Sequence, residues 1–160
     1  ELGHERIAFL GSPSGSATGD RRAEGFFRAA QELGLAADDA LDVRADDDTA
    51  HSGEALDQLL SLVRPPTAIV CISDVHAVGI LRAAAARGLA VGRDLAVTGF
   101  DDSPIAPLLT SSLTSVRQPL EAVAHRIVRN LTTTLAEPAT GPAGELLAPE
   151  LIIRASTRLD

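Results

Sequence analysis

The residues best suited to chemistry are one arginine, Arg22, and the aspartates Asp74, Asp101 and Asp102. The aspartates follow points where apolar runs give way to small or polar residues, and Arg22 follows the loop after the first such run. A guanidinium offers a planar fork of donors to hydroxyls or a carboxylate, and a carboxylate accepts from hydroxyls. Arg22 therefore either forms a solvated pair with Arg21 or turns over a sheet edge and holds a ligand. Both arginines fall in the first turn of a predicted helix, where the dipole disfavours cations and Asp20 offsets it. Adjacent carboxylates point different ways, so at most one of Asp101 and Asp102 faces a site. For Asp74, just before an apolar helix, capping is the stronger reading.

Bond-making chemistry lacks its parts. Gly11, Gly15 and Gly19 are spaced by four, so no GxGxxG forms, and without lysine there is no phosphate-binding P-loop. No GxSxG elbow occurs. HxxxH, CxxC and EF-hand spacings are absent. His4, His51, His76 and His125 are scattered. The expectation is no catalytic residue, no metal and no cofactor.

The elements that must position these residues follow from periodicity and punctuation. Residues 6–10 are a short apolar run ending at Gly11, a buried strand. Residues 11–19 form a loop rich in Gly, Ser and Thr. Residues 20–33 carry Ala23, Phe26, Phe27, Ala30 and Leu33 at helical spacing, with Gly34 as the stop. A short strand at 41–45 leads into the acidic turn Asp46-Asp47-Asp48. A helix at 52–63 uses Ala55, Leu56, Leu59, Leu60 and Val63 and ends at Pro65-Pro66. Strand 68–72, helix 75–87 and strand 95–98 follow, then a loop at 104–112 and an extended run at 113–116. Pro119 opens a helix that runs to 136, 137–144 is a loop, and 151–153 is the last strand. The order β-α-β-α-β-α-β-β-α-β implies an α/β fold of three layers, with a mostly parallel sheet flanked by helices. Ligands of such sheets bind at the carboxyl ends of the strands.

Composition sets the outer limits. The chain has 160 residues, fitting one domain, and 45% of them are hydrophobic. Four Phe are the only aromatics, so Ala, Leu, Val and Ile must fill the core. All 14 basic residues are Arg, and the net charge is −8, which argues against these residues gripping nucleic acid themselves. The single Cys71 cannot form an internal disulfide, which favours a reducing cytoplasm. No apolar run approaches the ~20 residues of a membrane helix. The charged opening lacks a secretory h-region. Leu2-Gly3-His4 reads as a helix end running into a strand, as if the sequence began in mid-protein.

Taken in order, LGHERIAFLG, the Arg22-to-Gly25 spacing, PPTAIVCISDVHAVGILRAAAARGLAVGRDLAVTGFDDSP, LTSVRQP and PELIIRAST resemble the LacI/GalR family of bacterial transcription regulators over essentially the whole chain. The resemblance implies a periplasmic-binding-protein-like effector domain of two lobes around a cleft. It also implies an N-terminal helix-turn-helix head, outside these residues, that reads operator DNA. Residues 1–117 would be the second lobe. Residues 118–150 would be the hinge and a returning helix of the first lobe, and 151–160 the last strand of the second.

Carried over position by position, Arg22 matches the effector-binding arginine and Asp101 the acid that accepts from effector hydroxyls. Ser73 stands where most members have Asn, a shorter hydroxyl in place of an amide. Asp48 falls where many members stack an aromatic ring, which would favour a polar or cationic effector if it points inward. Gln118 would reach the cleft. A homodimer interface would map to Val78 and Arg82 on one helix and to Ile105 and Leu109 in a loop. The implied protein is a cytoplasmic, non-enzymatic sensor of a sugar or related metabolite, with no membrane partner. The alternative is a periplasmic-type solute-binding protein of a transporter. An enzyme or phosphoreceiver of similar winding is a poorer fit, because a receiver needs a lysine. The helix at 119–136, apolar along Val123, Ile127 and Leu131, is expected to pack on a partner chain or fold onto its own body.

Overall fold

Alternating apolar runs and amphipathic stretches become strands and helices in the expected order. The computed structural model describes residues 2–35, 38–46, 49–136 and 144–158. They form β1 (Ile7–Gly11), α1 (Ala17–Glu32), β2 (Asp42–Arg44), α2 (Thr49–Leu60), β3 (Ala68–Cys71), α3 (Asp74–Ala86), β4 (Ala96–Phe100), β5 (Thr114–Arg117), α4 (Leu120–Ala136) and β6 (Glu150–Ile152). The sheet has six strands in the order β2-β1-β3-β4-β5-β6. The strands from β2 through β5 pair parallel, and β6 returns antiparallel to β5.

The main core lies between one sheet face and the helices α2 and α3. Leu10, Leu56, Leu59, Ile69, Ile80, Val97 and Leu113 are fully buried there. Alanines 77, 83 and 84 of α3 are buried too, and their small side chains let that helix lie close to the strands. On the opposite face α1 covers Phe9, Ile72 and Val70 with Ala23 and Phe26. Three of the four Phe gather there, with the Phe9 and Phe26 rings 5.2 Å apart. Gly88, at φ +71°, ends α3 in the left-handed turn that glycine tolerates.

Several boundaries differ from expectation, each for a physical reason. Ser16 caps α1 by accepting from the Gly19 N–H, so the helix begins at Ala17 rather than at residue 20. Asp20 alone is acidic in its first turn, and Arg21 and Arg22 lie one turn further on, away from the unfavourable dipole end. Helix α2 starts earlier and stops at Leu60, leaving Val63 beyond its end and fully exposed instead of on the buried face. The expected loop at 104–112 contains a 3-10 turn at Ala106–Leu108, which buries Ala106. The expected loop at 137–144 lies outside the described residues except for Gly144. Helix α4 does not fold onto the sheet. Leu120, Ile127, Val128, Leu131 and Leu135 are exposed, and Arg126 holds Glu145 at 2.7 Å.

Candidate functional site

The parallel sheet brings the carboxyl ends of β3, β4 and β5 side by side, and α1 passes beside them. Arg22 reaches over that edge. Its Nη1 donates to the Ile72 carbonyl at 2.8 Å, and its Nη2 to Asp101 Oδ1 at 3.3 Å. The guanidinium carbon lies 3.8 Å from the centre of the Phe100 ring, a cation–π contact. From beyond β5, Gln118 Nε2 donates to the same Asp101 oxygen at 2.8 Å. Of the two alternatives for Arg22, the side chain takes the placement of the second, over the sheet edge, rather than lying in solvent beside Arg21.

The Arg22–Asp101 pair is substantially exposed, 21% and 42% for the side chains. Such a pair contributes little to stability. Among the described residues, Arg22 Nε and Asp101 Oδ2 make no hydrogen bond. A free donor beside a free acceptor, next to an aromatic ring, suits neighbouring hydroxyls on a small polar molecule.

Ser73 is at the same edge, but its hydroxyl is engaged locally. It caps α3 by accepting from the His76 N–H, and its Oγ lies 2.9 Å from His76 Nδ1. Asp48 lies outside the described residues. Of the anticipated site residues, Arg22 and Gln118 therefore both meet Asp101. Val78, Arg82 and Leu109 line a separate, mostly apolar hollow with Leu81, Leu89 and Val91. Ile105 is exposed near this hollow's loop but does not line it.

The structure overturns the capping role given to Asp74, because Ser73 takes the cap. Asp74 is buried. It accepts from the Ser103 N–H at 2.6 Å, the Ser103 hydroxyl at 2.7 Å and the Ser115 hydroxyl at 2.6 Å. It thereby ties the turn after β4 to α3 and β5. Cys71 sits behind it, and burial, reinforced by the Asp74 charge, pushes its thiol well above the ordinary range. That sulfur is an inert core atom. Among the described residues, no group of three or more His, Cys, Asp or Glu could hold a metal ion.

Asp102 turns away from Asp101, as adjacent carboxylates do. Its oxygens meet Arg117 Nε at 2.6 Å and Arg154 Nη2 at 2.7 Å, with 5% of the side chain exposed. Burial works against its charge, but Arg154 and Arg117 outweigh burial and hold the carboxyl below the usual range. A folded pKa below the unfolded one stabilises fully above the unfolded value, about 4, and that gain is lost as pH falls through the folded value. We therefore expect Asp102→Asn to flatten the loss of stability between about pH 5 and 3. Urea midpoints measured across that range check this, and parallel curves for variant and wild type would refute it.

Phe100, Arg117 and Arg154 were not among the anticipated site residues, and Asp102 was singled out only as the neighbour of Asp101. The one signal available was an aromatic followed by two acids at a strand end.

Comparison with known proteins shows what the chain as a whole is similar to. The family model described as periplasmic binding protein-like domain matches residues 1–157. The HTH-type transcriptional regulator AglR of Rhizobium meliloti (strain 1021) is 36% identical, over 98% of this chain and 45% of its own length. The chain thus spans about half the length of the curated relatives it matches. A LacI-family regulatory protein from Chloroflexus aggregans superposes with a TM-score of 0.91 at 36% identity, covering 96% of this chain and 56% of that one. A complex of the transcriptional regulator CelR with cellobiose superposes with a TM-score of 0.87 at 30% identity, covering 96% and 47%. The chain belongs to the periplasmic binding protein-like domain family, and over its length it is similar to the corresponding part of LacI-family regulators.

Proposed function

We propose that this chain is the effector-sensing and dimerising portion of a LacI-type transcription regulator. The observation that carries this reading is the meeting of Arg22, Asp101, Gln118 and Phe100 at the carboxyl ends of the central strands. The effector is a small polar molecule, a sugar or related metabolite, held by the free faces of the guanidinium and the carboxylate. A bound sugar in the CelR complex supports that class. Residues 1–117 and 151–160 act as one lobe. Residues 118–150 act as the hinge and a helix belonging to a second lobe, which accounts for the exposed apolar side chains of α4. Operator DNA is met through a helix-turn-helix head outside these residues. The protein works in the cytoplasm and performs no chemistry. The relatives are transcriptional regulators, which disfavours the transporter alternative.

Effector binding shifts lobe closure and thereby the spacing of the DNA heads, a two-state coupling. The test is isothermal titration of the full-length protein with a panel of sugars and metabolites. For the best binder, Arg22→Ala and Asp101→Ala are each expected to weaken affinity by about tenfold or more, since each removes a charged hydrogen-bond partner. Affinities equal to wild type would place the site elsewhere.

The hollow lined by Val78, Leu81, Arg82 and Leu109 supports a homodimer surface, with Ile105 and Leu108 exposed in the adjoining loop. A charge at the centre of such a contact is strongly unfavourable. Full-length Val78→Glu is expected to sediment as a monomer where wild type sediments as a dimer. A variant that stays dimeric would move the interface to another face.

A further inference from the structure

The turn after β4 is strained. Asp101 has φ +106° and Asp102 has φ +48°, two successive non-glycine residues with positive φ. The Asp102 value lies near the left-handed well that Asp tolerates, whereas the Asp101 value lies well outside it. Such conformations cost about 1–3 kcal/mol each and persist only where the surroundings dictate them. Here they are dictated from below. The Asp101 N–H donates to the Val116 carbonyl at 2.9 Å, and the Asp102 N–H to Ser115 Oγ at 2.9 Å. The Ser103 N–H donates to Asp74. The Asp102 side chain is held between two guanidinium groups. It meets Arg117 at the end of β5 and Arg154 just after β6, and Arg154 also donates to the Leu113 carbonyl at 2.6 Å.

We propose that Asp102 is a positioning residue for the effector site. Clamped between Arg117 and Arg154, it holds the strained turn that aims the Asp101 carboxylate at Arg22 and Gln118. This rests on the effector reading above, but its geometry can be tested without any effector. Arg117 ends the strand that leads to α4 and Arg154 follows the strand that returns from it, so the same clamp fixes the turn to both chain crossings. A relaxed turn would swing Asp101 out of reach of Gln118 and Arg22, because a rotation at residue 102 moves the residue before it. A purely structural ion pair would make a different prediction: its loss would lower stability and leave the turn in place.

The experiment compares full-length wild type with Asp102→Asn, which keeps the shape and the tolerance for positive φ but not the charge. Arg117→Gln and Arg154→Gln serve as the partner variants. Arg93→Gln, which breaks an exposed pair with Asp94, is the control. The first readout is hydrogen exchange of the amides of residues 101–103. The second is the Arg22–Asp101 distance in crystals. The third is affinity for cellobiose as probe sugar. The proposal expects the control to exchange like wild type. It expects faster exchange confined to the turn in Asp102→Asn and in at least one partner variant, together with an opened Arg22–Asp101 contact. Where wild type binds cellobiose, affinity should drop about tenfold, the scale of one charged hydrogen bond. Unchanged exchange and an intact contact in Asp102→Asn overturn the proposal, whatever its melting temperature. Wild type that binds no sugar of the panel overturns the effector reading alone, and the exchange and the crystal distance still decide the positioning role. Should Asp102→Asn fail to fold, the two arginine variants carry the same test.

Discussion

Gly99→Ala is expected to destabilise the protein by about 3 kcal/mol, which for a chain of this size lowers the melting temperature by roughly 6–12 °C. A methyl group at Gly99 would run into Asp74 Oδ1 and lie 3.0 Å from Leu113 Cδ2. Neither neighbour can easily give way. Leu113 is fully buried, and Asp74 is held by donors from Ser103 and Ser115. Moving the carboxylate would leave those donors unpaired in the interior, which costs more than the contact itself. The cost should therefore be shared with Asp74. Asp74→Ala removes the obstacle, so the double variant should be clearly less unstable than the sum of the single variants. Thermal and urea melts of the four proteins measure both quantities. A Gly99→Ala protein that melts like wild type would show that the end of β4 relaxes freely.

Phe9→Ala is expected to cost about 4 kcal/mol, within the usual range for deleting a buried aromatic side chain. Phe9 is 1% exposed. Its ring stacks on Phe26 and lies 5.9 Å from that of Phe27. The layer between α1 and the sheet is thin, with Ala23, Ile72, Phe26 and Val70 as its other members, so little can collapse into the space left behind. The same packing seats the helix that carries Arg22. Any protein that still folds should therefore bind effector more weakly than its melting temperature alone would suggest. Phe9→Leu fills most of the volume and should recover most of both losses. A loss under about 1 kcal/mol for Phe9→Ala would show that this layer is dispensable.

The element order was legible because glycines, prolines and a change of apolar period mark every junction from β1 to β5. The start of α1 was not legible. Ala17, Thr18 and Gly19 carry little helical pattern, and it is the Ser16 hydroxyl that lets the helix begin there. In the candidate site, Asp101 was legible from its place after a strand and Arg22 from its place early in the helix after a strand and loop, each with a match to a family pattern, and Gln118 from that match alone. Ser73 and Asp74 are both good caps, and sequence alone does not rank two adjacent candidates. The choice falls to tertiary partners 29 and 41 residues away, Ser103 and Ser115. Phe100 was visible as the one aromatic at a strand end, but its role depends on a guanidinium that arrives from α1. The clamp around Asp102 was the least legible part, because Arg154 follows β6 and its approach depends on that strand running against β5.

Across the β5–β6 ladder, Val116 stands opposite Leu151 and Arg117 opposite Glu150. The polypeptide thus departs toward α4 and comes home on adjoining rungs. On the two-lobe reading proposed above, two passages set that close would act like the knuckles of one door hinge, easy to swivel about their common line and hard to slide sideways without tearing the ladder apart. Anything carried by α4 would then be steered into an arc, with the polar edge bearing Arg22 and Asp101 at the jamb.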